Sequence, residues 1–295
     1  MAVLGTSNIT LPKNIATGMW QKAQGGSTVA QLSGAEPMQF GDVSLMTFNT
    51  LPRAEYVGEG ADKAASSVGF GTKTITPKKV QVTLRFNEEV QWADEDYQLG
   101  VLATVGNAMG DALARALDLG VYHAINPLTG TAIAGLTENL TDTTNVVEAA
   151  GAADTELEAA AGLVIADGYV PNGVAFDPKY AWTLATARYA DGRKKYPELG
   201  FGTNITNIEG LRASVSSTVS GTPEATDTTV RGIVGDFSTI RWGVQRRVPI
   251  TKIEYGDPDG QGDLRRKNQF ALRGEVVYGW AFMDLNAFTK IVDAV

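Results

Sequence analysis

Residues 51–89 read LPRAEYVGEGADKAASSVGFGTKTITPKKVQVTLRFNEE, and two patterns meet inside this stretch. Near its end, Val80, Val82, Leu84 and Phe86 alternate with Gln81, Thr83 and Arg85, the period of two expected of a strand with one buried face. The earlier part, bounded by Pro52 and Pro77, is rich in glycine and lysine and carries few large apolar side chains. A segment of that composition has little core of its own. Residues 51–92 therefore read as a long extended hairpin that leaves the body of the protein and binds something.

The same argument extends upstream. Residues 1–50 contain Gly18, Gly25, Gly26, Gly34 and Gly41 and no long apolar period, so they read as an arm with one weak helix within Asn14–Leu32. An arm this poor in core residues gains order only by lying on the rest of the chain or on a neighbouring subunit. Downstream, Leu102, Val105, Met109, Leu113, Ala116 and Leu117 recur at helical spacing and predict a helix over Asp94–Asn126. Asp94 is placed to cap it, Glu95 and Asp96 put negative charge in its first turn, and Pro127 follows its end. A rod of that length spans roughly 50 Å. Gly106 and Gly110 within it would let another backbone approach closely.

Residues 127–153 are turn-rich. A second helix is expected from Thr155, with Glu158 completing a capping box, to Gly168. A strand over Val174–Phe176 follows, then Asp177-Pro178 as cap and first position of a third helix reaching about Tyr189, then a turn at Asp191-Gly192. Strands are expected over Ile208–Val215, Val230–Val234, Ile240–Val244, Ile250–Tyr255, Gln269–Val277 and Trp280–Met283. Helices and strands alternate without βαβ regularity, so the fold class is α+β.

Composition narrows the chemistry. Among 295 residues there is no Cys and one His, His123, which excludes disulfide scaffolds, Cys-ligated metals, thiol nucleophiles and any site needing two imidazoles. The net charge of −8 argues against a protein whose main task is gripping nucleic-acid phosphates. No window approaches the length of an apolar membrane-spanning helix, and the first residues hold no signal-type apolar core, so a soluble protein of a reducing compartment is expected. Asp257-x-Asp259-x-Gln261-Gly262 opens like a calcium loop, but position twelve is Asn268 rather than Glu, and Arg265, Arg266 and Lys267 lie inside it; a hairpin tip is the better reading. No phosphate-cradling glycine loop, nucleophile elbow or metal motif is present, so neither catalytic residues nor a cofactor are expected.

The order of these parts resembles the major capsid proteins of tailed bacteriophages, the Hong Kong 97-type fold shared with encapsulins. Ser27-x-Val29-x-x-Leu32 is similar to that family's N-terminal arm. Leu51-Pro52-x-Ala54-Glu55-Tyr56-Val57-x-Glu59-Gly60, Ser66-Ser67-x-x-Phe70 and Lys78-Lys79 leading to Glu89 resemble its extended E-loop. The long helix resembles its spine helix, and Val174-Ala175-Phe176-Asp177-Pro178 the start of its axial domain. Gly210-Leu211, Gly235-Asp236-Phe237, Leu272-Arg273 and Asp284-x-x-Ala287-Phe288 fit the later strands.

The resemblance implies a division into an arm (1–50), an E-loop (51–92), a peripheral domain (93–126 and 245–280) and an axial domain (127–244 and 281–295). It implies a non-enzymatic subunit that assembles with itself, as pentamers and hexamers, into an icosahedral head of the virion. Assembly would occur in the host cytoplasm. Expected partners are a separate scaffolding protein with no fused scaffolding segment, a portal, in some cases a decoration protein, and double-stranded DNA held weakly. Candidate assembly contacts are the acids Glu55, Glu59 and Asp62 and the cations Lys63, Lys78, Lys79, Arg246, Arg247, Arg265 and Arg266. A candidate isopeptide link would join Lys63 or Lys73 to Asn268. The rival readings are an encapsulin-type compartment and a soluble acidic hydrolase.

Overall fold

The computed structural model describes residues 26–36, 38, 41–50, 52–92, 95–200 and 205–294. In chain order the helices are α1 (Thr28–Leu32), α2 (Glu95–His123), α3 (Ala153–Ala166) and α4 (Pro178–Thr186). The strands are β1 (Val43–Thr50), β2 (Gly69–Ile75), β3 (Lys78–Asn87), β4 (Ile125–Asn126), β5 (Thr131–Ala132), β6 (Val146–Ala149), β7 (Gly173–Phe176), β8 (Asn207–Ile208), β9 (Leu211–Val215), β10 (Val230–Gly235), β11 (Ile240–Ile253), β12 (Gln269–Phe282) and β13 (Phe288–Asp293).

A six-stranded sheet, ordered β6-β13-β10-β7-β9-β8, forms the centre. Its inner strands β7 and β10 are buried at every position, which suits strands covered on both faces. Alternation assigns the faces. Val174, Phe176, Val234 and Ile291 pack with Leu157 of α3 and Leu184 of α4. Ala175, Ile233 and Phe288 pack on the other side with Leu113, Leu117 and Val121 of α2. The same core continues into a three-stranded sheet, β11-β12-β3, through Trp242, Phe270, Leu272 and Val276.

β3 obeys its alternating pattern: Val80, Val82, Leu84 and Phe86 all pack against that core. Several boundaries differ from the sequence expectation, each for a physical reason. The hairpin pairs β1 with β2, so it begins at Val43 rather than at residue 51, while β3 belongs to the body's three-stranded sheet. β11 runs through Pro249 as one strand because it is an edge strand with a register shift between Val248 and Thr251, where a missing N–H is tolerated. β12 likewise runs unbroken through Gly279, where an added Cβ would sit 2.7 Å from Ile75 Cγ2. The glycine that interrupts the pattern marks a close approach of the hairpin base, not a strand end.

α2 ends at His123, three residues short of expectation, because Ala124 adopts φ +53° and β4 starts at Ile125. At 29 residues α2 is about 43 Å long. The expected cap at Asp94 lies outside the described residues, as does most of the arm. α3 starts at Ala153 rather than Thr155. Glu156, not Glu158, satisfies the chain there: its carboxylate accepts the N–H groups of Ala150, Gly151 and Ala152 at 2.7, 2.9 and 2.9 Å. α4 begins as expected, with Asp177 accepting the Lys179 N–H at 2.8 Å, and ends at Thr186 rather than Tyr189.

Candidate assembly surface

The β1–β2 hairpin carries the longest exposed run among the described residues. Every residue from 52 to 68 is exposed. The loop is joined across its width where the Arg53 N–H donates to Ser66 Oγ at 2.8 Å. Glu55, Glu59, Asp62 and Lys63 all stand in solvent, with no ion pair or hydrogen bond from their side chains to the described residues. Large apolar groups stand there too: Tyr56 is 106% exposed, Met46 70% and Phe70 62%.

The hairpin base is tied to the body. Lys73 Nζ donates to both carboxylate oxygens of Glu138, at 2.8 and 3.1 Å. Half-buried Lys78 lines a cavity of about 210 Å³ shared with Lys73, Glu138 and Trp280. Lys79 pairs with Glu275 at 2.9 Å. Three of the cations proposed from sequence to reach a neighbour or form a link, Lys73, Lys79 and Arg265, have acid partners within their own chain.

The loop between β11 and β12 is organised by a residue the sequence reading missed. Arg85 of β3 extends its guanidinium into the calcium-like turn, pairs with Asp259, approaches Asp257 Oδ1 at 3.3 Å and donates to the Gly262 carbonyl at 2.9 Å. Hydrogen bonding to Asp259 holds Arg85 above its ordinary value, and Arg85 holds Asp259 below the usual carboxylate range. The guanidinium stands where a cation would, and among the described residues no group of acids is arranged to hold a metal. An acidic turn with no Glu at its last position was the signal that an internal cation must satisfy it. Beside it Arg265 pairs with Glu88 at 3.0 Å and lies 5.7 Å from the Tyr255 ring. Arg246 and Arg266 are exposed; the side chain of Arg247 lies outside the described residues. Asn268 is exposed, adopts φ +51°, and its carbonyl accepts the Glu88 N–H at 2.8 Å.

The arm lies on the body at several places, among them Gln31, whose carbonyl and side-chain oxygens accept from Arg212 and from Ser214 Oγ, and Gly41, whose carbonyl accepts from Gln245 Nε2 at 3.3 Å. Asp118, near the C-terminal end of α2 and buried, accepts from Ser27 Oγ, from Thr28 N and Oγ1 at 3.0 and 2.8 Å, and from Val29 N at 3.2 Å. Thr218 Oγ1 donates to Oδ2, the oxygen that Thr28 also uses, at 2.9 Å. Further on, the Glu36 N–H donates to the Trp242 carbonyl at 2.9 Å, and an added Cβ on Gly243 would fall 2.0 Å from the Glu36 carbonyl oxygen. His123 Nε2 meets the Val219 carbonyl at 2.9 Å, and burial pushes its pKa down. Arg231, nearly buried, joins Asp227 to Asp293 of the last strand.

The arrangement is an ordered body with a projecting, acid-bearing hairpin, a cation-stiffened tip and an arm laid across glycine. The sequence model of the phage capsid protein family matches residues 71–291. The chain belongs to the phage capsid protein family. This capsid protein is 50% identical to a chain from Mycobacterium phage Ogopogo, with TM-score 0.83 over 91% of this chain and 92% of that one. A chain from Gordonia phage Cozz is 35% identical, with TM-score 0.80 over 91% and 87%. The capsid of a native GTA particle shares the fold at 15% identity and TM-score 0.63, over 92% of this chain and 91% of that one. No curated protein matches the chain. The capsid protein is thus a structural component of the virion shell, and neither the encapsulin-type compartment nor the acidic hydrolase is favoured. Among the described residues no helix is long and apolar enough to cross a membrane.

Proposed function

We propose that this capsid protein closes with copies of itself, as pentamers and hexamers, into an icosahedral head around double-stranded DNA. The observation that carries this reading is the 52–68 loop: exposed throughout, bearing Tyr56 and Val57 in solvent, with the hairpin base tied to the body by Lys73 and Glu138. Such a loop lowers its free energy by covering those groups on another subunit, and closed symmetric assembly repeats that contact in every copy. The hairpin, extended back to Val43, acts as the E-loop. The three-stranded sheet with α2 acts as the peripheral domain and the six-stranded sheet as the axial domain.

In the shell, Glu55, Glu59 and Asp62 of one copy meet Arg246, Arg247 and Arg266 of the next. Lys78 and Arg265 stand beside this contact, while Lys79 keeps its own Glu275. A net charge of −8 keeps the subunit from condensing on DNA, which is enclosed rather than gripped. A separate scaffolding protein, a portal and a decoration protein are the expected partners, and the role requires no catalytic step. With Lys73 committed to Glu138, Lys63 is the amine available to exchange for the Asn268 amide of a neighbour, releasing ammonia. A covalent ladder on a denaturing gel supports that link; a single band near 31.3 kDa removes it. Reversing Glu59→Lys tests the charge contact: shell yield should fall and be restored in part by Arg266→Glu. Unchanged yield in the single variant contradicts it.

A further inference from the structure

We propose that Asp118 is a releasable clasp for the arm: residues 26–36 leave the body as a unit when this carboxylate exchanges its protein donors for water. The clasp joins three elements. α1 contributes Ser27 Oγ, both donors of Thr28 and the Val29 N–H, α2 contributes the carboxylate, and the segment after β9 contributes Thr218 Oγ1. Thr28 Oγ1 also meets Tyr122 OH at 2.7 Å. All the donors are neutral. A buried carboxylate without a cation is costly unless every lone pair is used, so the clasp closes only when the arm is fully seated.

Release is feasible because α1 has five residues and no stability of its own, and because the carboxylate regains water when the arm departs. The titratable groups facing Asp118 are Tyr122 on its own helix and Tyr278 on β12, whose buried hydroxyl has no hydrogen-bond partner among the described residues. Among the described residues the arm brings no charged group before Glu36, which pairs with Arg241; the Thr218 segment brings hydroxyls and, on the Val219 carbonyl, the His123 imidazole, whose pKa burial pushes down. Burial pushes the Asp118 carboxyl above its ordinary range. The sign follows: the clasped form holds a proton more readily than the released, hydrated one. Acid therefore favours the clasped arm, and the arm opens more readily as pH rises through the raised pKa.

Hydrogen exchange on the full-length protein tests this. Protection of amides 28–33, corrected for intrinsic rate and divided by that of β10, should fall as pH rises through the raised Asp118 pKa. Asp118→Asn should abolish the dependence on pH. Should that variant fail to fold, Thr218→Val removes a single donor and should lower arm protection while β10 is unchanged. An arm that exchanges only with global unfolding across that range overturns the proposal. So does a ratio independent of pH in the parent protein.

Discussion

Gly243→Ala should loosen the arm without damaging the sheet beneath it. The added Cβ would lie 2.0 Å from the Glu36 carbonyl oxygen and 2.6 Å from Met38 Cγ. An ordinary carbon–oxygen contact is about 3.3 Å, so the arm backbone must retreat by about 1 Å. Met38 can turn aside; a backbone carbonyl beside the parallel bridge of Ala35 to Trp242 cannot. That retreat breaks the hydrogen bond from Glu36 N–H to the Trp242 carbonyl, 2.9 Å in the parent. Overpacking costs about 1–3 kcal/mol and the lost bond about 1 kcal/mol, a total of about 2–4 kcal/mol. The Arg241–Glu36 pair adds little, since both side chains are 46% exposed. The penalty is capped by the free energy of releasing the arm, because release relieves the clash completely. Trp242, 2% exposed and one residue away, reports the event. Its fluorescence should shift to the red as it is hydrated, and protease should cut within residues 26–36 before the body unfolds. Parent-like emission together with parent-like cleavage would refute the reasoning that the arm is seated by the absence of a side chain at position 243.

Three further outcomes follow from the contacts described. His123, the single imidazole, is held neutral by burial, so its contribution is complete above the ordinary histidine pKa of about 6.5 and is lost as pH falls toward the lowered value; His123→Gln should flatten the urea midpoint between about pH 5 and about pH 7, and an unchanged slope contradicts this. Asp227, held far below the carboxylate range chiefly by Arg231, stabilises the fold above the ordinary carboxylate pKa and less as pH falls below it; Asp227→Asn should cost about 1 kcal/mol near neutrality and reduce the loss in acid, and equal acid sensitivity in both proteins counts against it. Arg85→Gln should expose residues 254–268 to protease while the thermal midpoint moves little, and an uncut loop would mean that the turn is held by its own bonds, the Leu264 N–H to the Gly256 carbonyl and the Gly262 N–H to Asp257 Oδ2.

Much of the fold was legible because one-dimensional patterns decided it. The alternation in β3, the spacing in α2 and the Asp177-Pro178 start of α4 each reflect one face meeting one core. What sequence misread were places where a distant segment sets the local rule. Gly279 looked like a break in a strand because the approach of Ile75 is invisible in sequence. Pro249 looked like another because edge position and register shift are properties of the sheet. The candidate surface was half legible. Solvation of Glu55, Glu59, Asp62 and Lys63 follows from a loop without apolar period. The pairing of Lys73 with Glu138, 65 residues away, does not, because it depends on how the hairpin base meets the body. Asp118 gave no signal at all: an acid within a helical period reads as a solvated position until the arm is laid over it.

The central claim is that copies of this chain build a closed shell through the exposed hairpin. Purified protein, alone and with a scaffolding protein, should be sized by light scattering and imaged by electron microscopy. The account predicts closed particles tens of nanometres across, lost when residues 52–68 are replaced by a short Gly-Ser turn. A stable monomer under both conditions, or particles that form equally well without the loop, would contradict it.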